Sequence, residues 1–227
     1  MLRTSNLCQS VQVSDGTLHI LKNINLDIQK GESVAIIGES GSGKTTLLGL
    51  LAGLDVPSEG DIFIDGVNIA QMDEEARGKF RQDYVGFVFQ NFQLLDSLTT
   101  IENIILPLEV RGEDNAEATG LFYLDRVGLA NRARHYPKQL SGGEQQRVAI
   151  ARAFACEAPI IFADEPTGNL DTKNGDKIAQ LLFQLNREKQ TTLILVTHSM
   201  ALAKQCARQI KIQAGEVVTL SDESKAP

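Results

Sequence analysis

The chain has 227 residues, 42% apolar and 22% charged, a composition that supports a packed core and excludes a disordered chain. Its 22 Lys and Arg against 29 Asp and Glu leave a formal charge of −7. That balance makes the chain a poor general ligand for nucleic acid and argues against a basic membrane-surface protein, because a duplex or an anionic bilayer attracts excess positive charge. At roughly 100–200 residues per domain, the length fits one large domain or two small ones.

The most notable apolar stretch, at 47–54, contains Gly49 and Gly53 and is far shorter than the roughly 20 residues of a spanning helix. The start, MLRTSNLCQS, has no apolar segment, so a secretory signal is not expected. Cys8, Cys156 and Cys206 are odd in number and scattered. They suit reduced thiols in a cytosolic protein rather than a disulfide framework.

In chain order, residues 1–30 read as strands, with alternation at Leu18, Ile20, Ile24, Leu26 and Ile28 that slips in places. SVAIIG at 33–38 is an apolar run suited to a strand buried on both faces. A glycine-rich loop follows, then a helix over 44–53. Strands are expected at 61–65 and 84–89, with a helix at 73–80 between them whose acidic first turn suits the helix dipole. The region 101–156 reads as helical, with a face at Ala118, Leu121, Leu124 and Val127 and a closely packed helix through Ala149, Ala151, Ala153 and Ala155. Strands return at 159–164 and 191–198. The helix between them buries Ile178, Leu181, Leu182 and Leu185 at i, i+3, i+4, i+7 spacing. A hairpin around Ala214 and Gly215 closes the chain, and the tail SDESKAP is expected to fray. Buried strands alternating with helices imply an α/β parallel sheet, with 91–157 as a helical insertion.

Two motifs carry chemistry. Gly38, Glu39, Ser40, Gly41, Ser42, Gly43, Lys44 and Thr45 fit G-x-x-x-x-G-K-[ST] between an apolar strand and a helix. Glycines let the backbone wrap phosphate oxygens, and the helix N-terminus adds its positive dipole end. Lys44 reaches the β/γ-phosphates, the Thr45 hydroxyl ligates Mg²⁺, and Thr46 belongs to the same first turn. The second motif is IIFADE at 160–165, an apolar strand ending in Asp164 and Glu165. Asp164 suits the Mg²⁺ shell and Glu165 a base that polarises water. Together they read as a Mg²⁺-dependent P-loop nucleotide hydrolase.

LSGGEQQR at 140–147 offers a second anion-binding helix N-terminus, on a chain whose first loop already suffices for one nucleotide. It resembles the signature of ATP-binding-cassette (ABC) ATPases. That resemblance spans essentially the whole chain and brings further assignments. Two cassettes pair head to tail, and Ser141, Gly142, Gly143 and Glu144 of one cap the γ-phosphate on the other's loop. Gln90 contacts Mg²⁺ and the attacking water. Gly168, Asn169, Leu170 and Asp171 form a loop that crosses the dimer interface near Glu165. His198 contacts the γ-phosphate. His19 and His135 match nothing and read as structural. PTGNLD at 166–171 with LSGGEQQR is similar to the lipoprotein-release and macrolide-export group (LolD/MacB-like). MDEEAR, VGFVFQNFQLL and LPLEVRG bring YbbA-type members nearest.

The resemblance implies a P-loop NTPase (RecA-like) core with a small antiparallel β subdomain, over 1–90 and 158–227, and an inserted α-helical subdomain over 91–157. The cofactors implied are ATP and Mg²⁺. The partners implied are a second copy of the chain and an integral-membrane permease in two copies. The permease contact falls over 91–112, where Phe92, Leu94, Leu95, Ile104, Ile105 and Leu106 serve either as contact or as core. Nucleic acid is not an expected partner. The location implied is cytoplasmic, peripheral on the inner face of the cell membrane.

Two departures stand out. Family members carry an aromatic residue where this chain has Val11, and no Tyr, Phe or Trp precedes Phe63. Val11 and Val13 are left as apolar contacts for the base, which weakens the preference for ATP over GTP. Ser199 stands where many relatives have Asp after the histidine. Three rival functions remain at this level: an ABC-type regulator of envelope or cell-division machinery, a soluble ABC ATPase of repair or translation, and a P-loop kinase of small metabolites.

Overall fold

The structure is a computed structural model that describes residues 1–14 and 16–218; the tail at 221–227, expected to fray, lies outside the described residues. In chain order the elements are β1 (Leu2–Val13), β2 (Gly16–Ile28), β3 (Ser33–Ile37), α1 (Lys44–Leu51), β4 (Glu59–Ile64), β5 (Val67–Asn68), α2 (Glu74–Tyr84), β6 (Val85–Val88), α3 (Thr100–Val110), α4 (Ala116–Arg126), α5 (Gly142–Ala155), β7 (Ile160–Asp164), α6 (Thr172–Lys189), β8 (Thr192–Val196), α7 (Met200–Ala203), β9 (Arg208–Gln213) and β10 (Glu216–Val218). They form two compact units, one of residues 1–81 with 192–227 and one of residues 82–191.

The first unit holds two sets of strands. β2-β1-β4-β5 is an antiparallel sheet. Its long β1–β2 hairpin pairs Leu2 with Ile28 and Val13 with Gly16, and its register shifts between Thr4 and Leu7, Leu7 and Gln9, and Gln9 and Ser10. Those shifts explain the slipped alternation, since each bulge moves the following residues to the other face. In the other set β10, β9, β3 and β8 lie side by side, with β3 parallel to both β8 and β9. Val34, Ala35 and Ile36 are fully buried, as an apolar run flanked on both edges requires. The β9–β10 hairpin turns through Ala214 and Gly215, both with positive φ (51° and 82°), the conformation a tight two-residue turn demands.

The second unit packs helices on the parallel pair β6–β7. A Cβ on Gly86 of β6 would sit 2.8 Å from the Ala153 carbonyl of α5 and 2.5 Å from Ile161 of β7. Packing that close groups β6 and β7 with the helices, whereas the sequence motifs group these strands with the nucleotide-binding core. α5 buries Ala149, Ala151, Ala153 and Ala155, as their small size and spacing predict. α6 buries Ile178, Leu182 and Leu185, with Leu181 at the margin.

α4 corrects the sequence reading. Its buried face runs through Ala116, Gly120, Tyr123 and Leu124, while Ala118 and Leu121 are exposed. The cause is Gly120, where a Cβ would lie 2.3 Å from Ile105 of α3. That crossing rotates the helix so that the glycine, and not Leu121, faces α3.

All three cysteines are unpaired. Burial pushes the Cys206 thiol up to about 12, so it stays protonated and inert at neutral pH. No helix among the described residues is long and apolar enough to cross a membrane.

Candidate nucleotide site

In the first unit the phosphate loop leaves the end of β3 and enters α1. Gly38 and Gly43 are sterically required. A Cβ on Gly38 would meet the Ile212 carbonyl at 2.2 Å, and one on Gly43 would meet Leu21 at 2.8 Å and the Ile20 carbonyl at 3.0 Å. Gly43 also has φ 99° and Gly41 φ 76°, left-handed geometry open to glycine and strained for other residues. The loop is thus wedged between β9 and β2, while a Cβ on Gly41 would meet nothing within 4 Å. Lys44 is 5% exposed, and its Nζ donates to the carbonyls of Gly38 (3.0 Å) and Glu39 (2.7 Å). The ammonium therefore sits inside the loop it serves. Glu39, Ser40 and Thr45 are exposed, Thr46 is half-buried, and Ser42 is buried with its amide donating to Glu39. No side chain caps the N-terminus of α1, so its first-turn amides face outward as anion donors.

The same unit carries further residues singled out in the sequence. His198 is exposed just beyond β8. Ser199 caps α7 by accepting from the Leu202 amide at 3.3 Å. Ser and Asp are comparable N-caps, so this departure keeps the local structure. Val11 (39% exposed), Val13 and Leu18 present apolar side chains on the β1–β2 hairpin. His19 is exposed on that hairpin opposite Ser10.

In the second unit β7 is buried from Ile160 to Ala163 and ends at Asp164. The chain then turns sharply, with Glu165 at φ 44°, and the Gly168 amide donates to the Glu165 carbonyl at 2.9 Å. Gln90, beyond β6, lies against this turn: a Cβ on Gly168 would sit 2.9 Å from Gln90 Nε2. Gln90 Nε2 donates to Asn169 Oδ1 (3.2 Å), and Asn169 Nδ2 donates back to the Gln90 carbonyl (2.9 Å) and to Asn91 Oδ1 (2.8 Å). Asp171 caps α6 by accepting from the Asn174 amide, which holds its carboxyl below the usual range.

Ser141 and Glu144 form a reciprocal capping box at the start of α5. The Ser141 amide and hydroxyl donate to Glu144 at 2.8 and 2.7 Å, and the Glu144 amide donates back to Ser141 Oγ. Those bonds, with Arg132 at 3.2 Å, hold the Glu144 carboxyl below its ordinary value. A Cβ on Gly142 would lie 3.5 Å from Leu170 and 3.6 Å from Phe92, and one on Gly143 would lie 3.8 Å from Asn174. The His135 carbonyl accepts from the amide and hydroxyl of Thr100.

The comparisons with known proteins give the family. Residues 21–168 match the ABC transporter family. The chain belongs to that family. It is 50% identical to the ABC transporter ATP-binding protein YbbA of Escherichia coli K12 over 219 residues, 96% of each chain. It is 44% identical over 223 residues to the ABC transporter ATP-binding protein MJ0796 of Methanocaldococcus jannaschii, covering 96% of this chain and 95% of the other. The dimeric post-hydrolysis structure of the MJ0796 cassette, bound to ADP and Pi, superposes with a TM-score of 0.89 at 42% identity, over 96% of this chain and 97% of that one. The chain is an ATP-binding subunit and an ATPase of the ABC type, with the P-loop ABC ATPase fold.

Two contacts of this cassette have no local sequence signal. Asn169, in the loop at 168–171, bonds Gln90 and Asn91 across 78–79 residues. Arg152 lies on α5. It donates to the carbonyls of Phe92 (2.9 Å) and Gln93 (2.6 Å), residues held at positive φ. No local pattern signals either contact. The apolar set over 91–112 divides. Ile104 and Ile105 are core, which settles for them the alternative left open between contact and core. Leu95 and Leu106 line a groove of about 400 Å³ with Phe87, Phe89 and the unanticipated Val110.

Proposed function

We propose that this cassette hydrolyses ATP as one of a pair, and that the pair drives a separate membrane permease present in two copies. The observation that carries the proposal is the uncapped N-terminus of α1 behind a loop that tolerates no side chain at Gly38 or Gly43. Lys44, Thr45, Thr46 and the amides of residues 38–45 hold the triphosphate. Val11, with Val13, supplies apolar contact to the base in place of an aromatic ring. The oxygens offered to Mg²⁺ come from Thr45, Asp164 and Gln90. Among the described residues no cluster of three His, Cys, Asp or Glu could hold a metal unaided. A sparse, hard-oxygen set fits Mg²⁺, which keeps waters and takes phosphate oxygens as its remaining ligands. Bound there, the ion would neutralise charge on the phosphates. Glu165 takes the proton of the attacking water and His198 contacts the γ-phosphate. Positioning and electrostatic stabilisation carry most of the catalysis.

Ser141, Gly142, Gly143 and Glu144 of the second copy complete the site, and Asp171 lies on the loop that meets that copy. The working division is a nucleotide core at 1–90 and 158–227 and a helical subdomain at 91–157. The groove lined by Leu95, Leu106 and Val110 receives a permease segment, since exposed aliphatic side chains around a concave surface suit an apolar partner face. The cassette then works at the cytoplasmic face of the inner membrane, and the permease moves lipophilic or envelope-related cargo.

The test is affinity capture of tagged Glu165→Gln from solubilised native membranes with ATP and Mg²⁺, followed by mass spectrometry. A multi-span protein recovered in stoichiometric amount is the expected result. Recovery of soluble proteins alone, from a variant that still dimerises with ATP, would overturn the permease assignment and leave the ATPase chemistry standing.

A further inference from the structure

We infer that Asn169 is a positioning residue that sets which end of the Gln90 amide is offered to the metal and the attacking water. The inference rests on the proposed role of Gln90 and adds what controls it. A primary amide has one donating and one accepting end, and a half-turn exchanges them. Only the oxygen can ligate a hard cation. A glutamine on an exposed loop has no intrinsic preference between the two orientations.

Here the preference is imposed by a chain of hydrogen-bond polarity that starts from an unambiguous group. The backbone carbonyl of Gln90 can only accept. It takes a hydrogen bond from Asn169 at 2.9 Å, so the atom facing it is Nδ2. The second proton of Nδ2 goes to Asn91 Oδ1 at 2.8 Å. Both donors of Asn169 are then committed, and its other end is fixed as Oδ1. An oxygen there tolerates only a donor opposite, and Gln90 supplies Nε2 at 3.2 Å. The remaining end of the Gln90 amide is therefore Oε1, to which no described group donates. Turning Gln90 over would set two carbonyl oxygens against each other.

Gly168 permits the arrangement. A side chain there would press on the Gln90 amide, with Nε2 2.9 Å from its Cβ. The Gly168 amide is bonded to the Glu165 carbonyl. Asn169 thus ties the orientation of Gln90 to the turn that carries Glu165.

The experiment uses the full chain with three variants, Asn169→Leu, Gln90→Ala and the double variant. In the nucleotide-free protein, the side-chain ¹H–¹⁵N signal lost in Gln90→Ala identifies Nε2. In Asn169→Leu that signal is expected to move toward the position of a solvent-exposed amide. In the nucleotide complex, the Mg²⁺ concentration for half-saturation is expected to rise about tenfold in Asn169→Leu, the scale for losing an outer-shell partner. Affinity for ATP without Mg²⁺ should hold. The double variant should be no worse than Gln90→Ala alone. Asn169→Asp, which keeps an acceptor for Nε2, is a second probe that preserves a polar surface. Its Mg²⁺ requirement should stay well below that of Asn169→Leu. A normal Mg²⁺ requirement in Asn169→Leu, or an equal rise in both Asn169 variants, alongside a raised one in Gln90→Ala, would overturn the inference and leave Gln90's role intact. An additional loss in the double variant would also overturn it. An unchanged Gln90→Ala would remove the role of Gln90 itself.

Discussion

The cassette holds two helix N-termini that the proposed function assigns to phosphate, and they are finished in opposite ways. At α1 the residue before the helix is Gly43, no side chain caps the first turn, and the loop tolerates no Cβ at Gly38 or Gly43. At α5 the residue before the helix is Ser141, locked with Glu144 in a capping box, and the glycines that follow have room around them. The first leaves its amides without a side-chain partner, as an anion site requires. The second is stable on its own account and presents an exposed polar edge. The difference fits a site that binds its own nucleotide at α1 and meets another copy's nucleotide at α5.

The largest effects separate binding from chemistry. Lys44→Ala should abolish measurable ATP binding by calorimetry. Glu165→Gln should keep ATP bound while slowing steady-state hydrolysis by about 10²–10⁴-fold, the usual contribution of a positioned base. Wild-type turnover in Glu165→Gln would remove the base from that residue.

The comparison sharpens with matched glycine variants. Gly43→Ala forces a left-handed residue against Leu21 and should cost about 1–3 kcal/mol of stability, read as a lowered thermal midpoint without ligand. Gly142→Ala meets its nearest neighbour at 3.5 Å, inside a helix. It should leave the midpoint nearly unchanged and weaken only ATP-dependent self-association. Equal destabilisation by both would erase the contrast. Ser141→Ala should cost about 1 kcal/mol in unfolding, because it opens the box.

The smallest effect is titration of that box. The Glu144 carboxyl is held below its ordinary value by Ser141 and then by Arg132. A carboxylate with a depressed folded pKa contributes stability that is present above its unfolded value of about 4.3. That contribution is lost as the pH falls below it and through the folded value. Thermal midpoints of wild type and Glu144→Gln should therefore converge as the pH is lowered from 6 toward 3, whereas a constant gap would mean that the carboxylate's charge plays no part.

Much of this was legible in the chain because it is local. The phosphate loop, the strand ending in Asp164 and the Ser141 helix start are each written in eight residues or fewer, and their backbone demands are intrinsic to Gly, Lys and Ser. What was not legible depends on distant segments meeting. Gly120 rotates the face of α4 because α3 crosses it, and Arg152 reaches back to residues 92 and 93. Asn169 is the plainest case, a residue inside a recognised motif whose contacts lie 78–79 positions away.

The account's central claim is that the α5 N-terminus completes a site on another copy. Sedimentation with counted bound nucleotide tests it on two variants, Glu165→Gln and Glu165→Gln with Ser141→Arg. The first should double in mass when ATP is added; the second should bind one ATP per chain and remain a monomer. If Glu165→Gln binds ATP without any change in mass, or if Ser141→Arg abolishes ATP binding to the monomer, the claim is wrong.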